Sequence, residues 1–408
     1  MTIFRHKRSV GSEEAEQINC ARSNSLFKEY EAGPGIFKLA EGPFISYQRT
    51  VDIDMQASDF EVTETFSYKI SAPFWHYLLH FPMKRALKNS NSSKNFNIWW
   101  APPNRFDALT SRTVSLLCVA AIVTGFLGAL IGQTATFAAE EFGAGDRAQG
   151  ILLATVRIGV LLTVFITALA DNRGRKKLLE FSLYGGCCLA VLSAVAPNLW
   201  ALGITQSFAR GFATSISILI GIMAAEAAPK GSRAYIAGLL TLSAGLGAGI
   251  PVWILFLADL HLKGWRLLFA TALIFFPVIR WIHLHLEESK RFINHIENHK
   301  FNNGRKQKVI VKRVLFLASV AFLLFLFVSP ASQFRNEFLR DERDFSAAKI
   351  SLFLLTAYTP QIIGVAIASK VSDLKGRKPV AMIAVGIGTI LTVGSYSIAG
   401  FGMWLITM

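Results

Sequence analysis

A chain of 408 residues that is 52% hydrophobic and only 17% charged does not read as a soluble enzyme with a large core. Its mean hydropathy is +0.41 although the first 112 residues are polar, so the apolar residues are concentrated in the remainder. The net charge of +15 would suit a nucleic-acid partner, but the Lys and Arg residues gather in loops between apolar runs, which points to a lipid bilayer and not to nucleic acid.

Residues 1–108 read as a cytosolic N-terminal extension. No signal-peptide-like apolar stretch occurs in the first 20 residues. Residues 1–41 are polar, with Pro34 and several glycines, which predicts a poorly ordered segment. Residues 46–55 and 60–70 then alternate, with Val51, Ile53 and Met55 in the first and Phe60, Val62, Phe66, Tyr68 and Ile70 in the second. That pattern predicts a β-hairpin across Gln56-Ala57-Ser58-Asp59. Residues 73–88 are aromatic early (Phe74, Trp75) and basic late (Lys84, Arg85, Lys88), and too short to span. They either lie at the membrane interface with Phe74, Trp75 and Leu78 down, or pack on the hairpin. Trp99 and Trp100, ahead of Pro102 and Pro103, read as an interfacial aromatic pair. Cys20, Cys118, Cys187 and Cys188 have no metal-ligand spacing and read as small packing residues.

Nine apolar runs follow, near 113–139, 149–170, 178–196, 199–226, 234–258, 265–286, 314–333, 349–369 and 380–401. Each has about the 20 residues that a helical crossing requires, and none alternates as a barrel strand would. On the first, Gly125, Gly128 and Gly132 form a small-residue face for close helix approach. On the fifth, Gly245, Gly247 and Gly249 precede Pro251; no strand precedes them, so they read as a bendable packed helix and not as a nucleotide loop. With the N-terminus inside, the inner loops at 171–177, 226–233, 287–313 and 370–378 carry 18 Lys/Arg, against 7 in the outer loops. The bias predicts an N-inside topology.

The loop Asp171-Asn172-Arg173-Gly174-Arg175-Lys176-Lys177 recurs 202 residues later as Asp373-Leu374-Lys375-Gly376-Arg377-Lys378-Pro379. Each copy follows the second apolar run of its half, and the runs obey the same offset. Such a repeat marks a two-halved transporter. Offset by 202, Met408 corresponds to Gln206 in the fourth run, so a second half as long as the first would need about 80 more residues, enough for three helices.

The loop resembles the G-x-x-x-D-x-x-G-R-[RK] motif between helices 2 and 3 of the major facilitator superfamily, and its second copy resembles the echo between helices 8 and 9. Glu226 and Arg233 resemble the E-x6-R motif of sugar-porter-like and metabolite–proton symporter members, and Leu286 to Phe292 resembles their P-E-S-P-R motif with both prolines absent. The resemblance covers about 113–408. It implies an inner gate in which Asp171, Arg173, Gly174, Arg175, Lys176, Glu226, Arg233, Glu288 and Arg291 form one network. It also implies that Asp373, Gly376 and Arg377 repeat it, with Asp171 facing helix 11 and Asp373 facing the start of helix 5 near Ser232.

Within the spans, Arg157 and Arg210 either line a solute cavity, which favours an anion, or bond to helix carbonyls. Arg280, His283 and His285 lie toward the inner end of the sixth run and read as snorkelling. Gln133, Gln206, Tyr358 and Gln361 either read substrate or join helices. No carboxylate sits in mid-span, which leaves Glu226 as the nearest carrier for a coupling proton and leaves coupling itself open.

The expected fold is thus all-α: a polytopic transmembrane bundle of about nine full spans with helices 10–12 missing, plus the extension with its β-hairpin. The expected organisation is 1–108 extension, 109–286 first six-helix half, 287–313 cytoplasmic loop and 314–408 incomplete second half. The expected protein is not an enzyme and takes no cofactor or metal. It would be a monomeric plasma-membrane transporter of a small organic solute, with the cavity between its halves. A multidrug-type exporter and a truncated product without transport are the alternatives.

Overall fold

The computed structural model describes residues 1–56, 59–89, 98, 100–288, 311–333, 335, 338–345 and 347–407. They fall into two compact units, Met1–Ile293 and Asn294–Met408.

The first unit opens with a five-stranded antiparallel sheet. Its strands are β1 (Thr2–Val10), β2 (Lys28–Gly33), β3 (Ile36–Glu41), β4 (Phe44–Gln56) and β5 (Asp59–Ile70), in the order β1-β5-β4-β3-β2. The expected hairpin is β4–β5, which pairs from Gln56 opposite Asp59 to Phe44 opposite Ile70. Its turn residues 57–58 lie outside the described residues. The expectation of a poorly ordered 1–41 is corrected. β1 pairs with β5 from Thr2 opposite Tyr68 to Val10 opposite Phe60, while β2 and β3 extend the other edge. The polar composition misled because the inward positions of β1 include His6 and Arg8, and Arg8 reaches the buried Glu64 at 2.9 Å. Cross-strand pairing and ion pairs there stand in for apolar burial.

Helices α1 (Ser12–Ile18) and α2 (His76–Lys88) complete the extension. Val10, Phe37, Val51 and Val62 of the sheet pack with Ala15 and Ile18 of α1. Phe44, Tyr47, Phe66 and Tyr68 pack with Met83, Ala86 and Leu87 of α2, and Trp100 packs against the same cluster. Trp99 is outside the described residues. Between the two clusters, on the same sheet face, lie Glu29, Arg49 and Glu64, all buried. Arg49 grips Glu29 through Nε (3.0 Å) and Nη2 (2.7 Å) and donates to the Ile18 and Cys20 carbonyls at 2.8 Å. Arg22 pairs with Glu64. Burial, with the Glu29 carboxylate beside it, pushes the Tyr47 phenol well above its ordinary value.

In the helical part of this unit the six expected apolar runs are all helical. They are α3 (Ala108–Glu141), α4 (Asp146–Ile158) with α5 (Leu161–Arg173), α6 (Arg175–Ser193), α7 (Leu199–Ala227), α8 (Arg233–Trp253) with α9 (Phe256–Asp259), and α10 (Trp265–Ala270). The last continues through a 3-10 turn (Thr271–Ile274) into α11 (Phe275–His285). Asp107 and Asn198 cap α3 and α7 by accepting from the Thr110 and Ala201 amides at 2.9 and 2.8 Å. α3 is the central rod, with Leu116, Leu117, Phe126 and Leu130 fully buried. It crosses α8 backbone to backbone. A β-carbon at Gly125 would stand 1.9 Å from the Ala244 carbonyl oxygen, and one at Gly247 would stand 1.9 Å from that of Ile122. At Gly132 the space is open.

The second unit holds α12 (Val311–Gln333), a π-helical turn (Phe338–Glu342), α13 (Ala347–Lys375), α14 (Arg377–Ser397) and α15 (Phe401–Thr407). Leu339, Phe353 and Met403 form its small core. All nine apolar runs are therefore helical among the described residues. Among the described residues, seven helices are long and apolar enough to cross a bilayer. The third run, α6, carries Arg175, Lys176, Lys177 and Glu180 in its first turns, and the seventh has its apolar stretch confined to Val314–Val328.

Candidate functional site

α5 ends at Arg173 and α6 begins at Arg175, with Gly174 alone between them at φ 99°, ψ 141°. α13 ends at Lys375 and α14 begins at Arg377, with Gly376 at φ 98°, ψ 147°. Only glycine enters this backbone region without strain. The Gly-Arg-Lys order is thereby explained: the glycine reverses the chain in one residue, and the cations fall in the first turn of the next helix.

Cations at a helix N-terminus oppose its dipole, so carboxylates should gather there. They do around α6. Arg175 is ion-paired with Glu226, and both side chains are largely buried. Glu288 accepts from the Lys176 backbone amide at 3.1 and 3.2 Å. Glu180 lies 3.8 Å from Lys176 Nζ and 2.8 Å from His283 Nδ1. Three segments far apart in sequence, at 175–180, 226 and 283–288, thus meet at one end of the bundle. In the second copy Arg377 Nη2 stands 3.8 Å from the buried Asp373 carboxylate.

Other members of the expected network are not in this set. Arg173 is exposed. Arg233 is also exposed, as the first residue of α8, and makes no ion pair among the described residues. The reason is local: Gly231 turns the chain at φ 92°, and the buried Ser232 is held by the extension, which leaves Arg233 facing out. The side chain of Asp171, and Arg291 altogether, lie outside what the structure describes.

The cavity candidates divide. Arg210 is half-buried on α7 and donates Nη1 to the Gly128 carbonyl of α3 at 3.0 Å. Arg157 is exposed on α4, near enough for the two cations to repel each other. Gln206 is buried and donates to the Ser193 hydroxyl at 2.8 Å, so it joins α7 to α6 and is committed within the bundle. Gln133 is half-buried on α3, and Gln361 is exposed on α13. Tyr358 lies on α13, with its side chain outside the described set. Arg280 is exposed on α11.

Two clusters escaped the sequence reading. Asn104 binds the loop before α8: its side chain donates to the Lys230 carbonyl and its amide to the Ser232 hydroxyl at 3.0 Å. Tyr235 donates to the Trp100 carbonyl at 2.6 Å, and Trp75 Nε1 to the Ser115 carbonyl at 3.1 Å. The extension is therefore bolted to the first turns of α3 and α8. At the other end of the bundle, Glu141 accepts from Arg266 (2.9 and 3.0 Å) and from Trp265 Nε1 (2.7 Å), while Arg266 also donates to the Ala194 carbonyl at 3.0 Å. Among the described residues no cluster of His, Cys, Asp and Glu is set for a metal ion.

Comparisons with known proteins bear on this geometry. The structure is similar to that of the proton:xylose symporter XylE bound to 6-bromo-6-deoxy-D-glucose, with a TM-score of 0.60 and 16% identity over 73% of this chain and 78% of that one. It is also similar to the human organic anion transporter MFSD10 (TETRAN), with a TM-score of 0.53 and 14% identity over 73% and 80% of the two chains. A partially occluded inward-open form of the xylose transporter XylE from E. coli matches at a TM-score of 0.53, with 17% identity over 74% and 80%. No curated protein matches the sequence. The model of the Major Facilitator Superfamily matches residues 117–408, well over half of the chain and both copies of the Gly-Arg-Lys loop, so the chain belongs to the Major Facilitator Superfamily of membrane-embedded transporters.

Proposed function

We propose that the protein carries a small organic solute across the plasma membrane by alternating access, as a monomer with its N-terminus on the cytosolic side. The observation that carries this reading is the match between Gly174 and Gly376, each a one-residue turn into a helix that begins Arg-Lys. Duplicated halves with equivalent loops are what a rocking mechanism requires. The excess of Lys/Arg in the loops at 171–177, 226–233, 287–313 and 370–378 supports the orientation. The cluster of Arg175, Glu226 and Glu288 acts as an inner latch, because charge-assisted contacts at helix ends can stabilise one state over another by a few kcal/mol at most.

Arg157 and Arg210 favour a solute that carries negative charge. Arg210 commits Nη1 to Gly128, and its remaining N–H groups suit a carboxylate. XylE is a sugar symporter and MFSD10 an organic anion transporter by their names, and at such low identity neither solute transfers directly. Glu226, largely buried in its pair with Arg175, and Glu180, beside His283, are the candidates for a coupling proton.

The test is uptake into proteoliposomes with a panel of carboxylates and neutral sugars, with and without an imposed pH gradient. The reading expects saturable uptake of an anion that Arg210→Gln abolishes. Uptake of a neutral solute, unchanged in both Arg157→Gln and Arg210→Gln, contradicts it.

A further inference from the structure

α2 presents two opposed faces. Met83, Ala86 and Leu87 are buried against the sheet, whereas Tyr77, Leu78 and Phe81 are 81%, 70% and 73% exposed. At 3.6 residues per turn those three occupy an arc of about 100°, opposite the buried stripe, and Lys84, Arg85 and Lys88 continue the same side one turn later. The exposed Phe74 precedes them at φ 73°, a backbone conformation that bulky residues rarely adopt. An apolar stripe that runs into a cationic one is the pattern of a helix lying in a membrane surface.

The place of α2 says what covers that stripe. Its start is fastened to the first turns of α3, a membrane-spanning helix. The Ser71 hydroxyl donates to the Ala108 carbonyl at 2.6 Å, Ser115 donates to Pro73 at 2.9 Å, and Trp75 donates to Ser115. Phe74 lies 6.3 Å, ring to ring, from Trp281 near the end of the span Trp265–His285. The stripe is therefore continuous with the surface that the bundle presents to lipid. An apolar pocket of about 210 Å³ beneath it, between Leu78, Leu79 and Met83 of α2 and Val114, Cys118 and Leu239 of α3 and α8, gives a hydrocarbon chain room beside the helix. Residues 71–106 hold no Asp or Glu, and their cations include Lys84, Arg85, Lys88 and Arg105.

We propose that α2 is an in-plane anchor that seats the extension on the cytosolic leaflet, with Phe74, Tyr77, Leu78 and Phe81 among the acyl chains and Lys84, Arg85 and Lys88 on anionic lipid headgroups. The leaflet named rests on the N-inside reading of the preceding section; the anchoring itself does not. Each cation near an anionic surface is worth about a fivefold change, so removing three should weaken seating on the order of a hundredfold.

The test uses the full chain in nanodiscs of neutral or anionic lipid, with a nitroxide at Leu78→Cys or Phe81→Cys in a background without the native cysteines. The expected result is a label that collides with oxygen and is shielded from an aqueous nickel chelate, and that sits deeper when anionic lipid is present. The triple variant Lys84→Gln, Arg85→Gln, Lys88→Gln should lose the dependence on lipid charge. Labels open to the chelate in both lipids overturn the proposal, as does shielding that appears only when a soluble protein fraction is added, which would make the occupant a protein. Labelling of Cys20, in a separate variant that keeps it and replaces Cys118, Cys187 and Cys188, by an impermeant maleimide from each side of sealed vesicles separates the two failures: an extension found outside sinks the orientation while leaving the anchor intact.

Discussion

Arg175, the first residue of α6, is ion-paired with Glu226, the penultimate residue of α7. The pair ties the Gly174 loop to the end of another helix, in a setting dry enough that loss of one partner strands the other. Glu226→Gln should therefore cost about 1–3 kcal/mol of whichever transport state holds the pair closed, and initial uptake rates should fall by roughly tenfold or more. The swap Arg175→Glu with Glu226→Arg should recover part of the loss. Unchanged rates in Glu226→Gln would leave the pair as static packing.

The crossing of α3 and α8 makes a sharper structural prediction. Gly125→Val and Gly247→Ala each drive a side chain into a carbonyl oxygen of the facing helix, and overpacking of this kind costs at least about 1–3 kcal/mol. Gly132→Ala, on the same small-residue face of α3, meets open space and should be silent. Thermal stability of the detergent-solubilised protein separates the three variants.

Within the extension, Arg49 is fully buried and bonded to Glu29, Glu64 and two backbone carbonyls. Arg49→Met leaves two buried carboxylates under-compensated, a loss of about 3–5 kcal/mol. That is a large share of what holds a small domain folded. Limited proteolysis should then cut within 1–70, while Arg85→Met, on the exposed face of α2, should leave the cleavage pattern as it is.

Asn104→Ala removes the bond to Lys230 that fastens the extension to the loop before α8. A lost hydrogen bond is worth about 1 kcal/mol. Hydrogen exchange at 101–107 and 229–233 should accelerate by up to about fivefold together, because the lost bond joins the two segments directly, while the Asn104 amide keeps its bond to Ser232. Acceleration on one side alone would show that the two segments are held independently.

Much of this protein is legible in its sequence, for physical reasons that also mark the limits. Long apolar runs are unambiguous because a bilayer crossing needs so many residues, and the Asp-x-x-Gly-Arg-Lys repeat is legible because its glycine has a backbone duty that no other residue performs. The strands at 2–10 and 28–41 were missed because their inward positions carry Arg8 and Glu29, and a buried ion network looks like a solvated surface when only composition is read. Residues 73–88 offered two readings; α2 packs Leu87 against the sheet, and Phe81 faces outward, which leaves the interfacial reading to the test proposed above. The partner of Glu226 was not readable from spacing either. Arg233 lies only seven positions away in sequence, yet Arg175, fifty-one away, makes the contact because helix ends converge in space.

Side-specific labelling of the two repeated loops tests the central claim, a duplicated half with equivalent loops on one face of the membrane, most directly. Lys177 and Lys375 are both exposed, so Lys177→Cys and Lys375→Cys in a cysteine-free background can be probed with an impermeant maleimide in inside-out and right-side-out vesicles. The account predicts that both react from the cytosolic side and neither from the outside. Reaction of the two positions from opposite sides would contradict it.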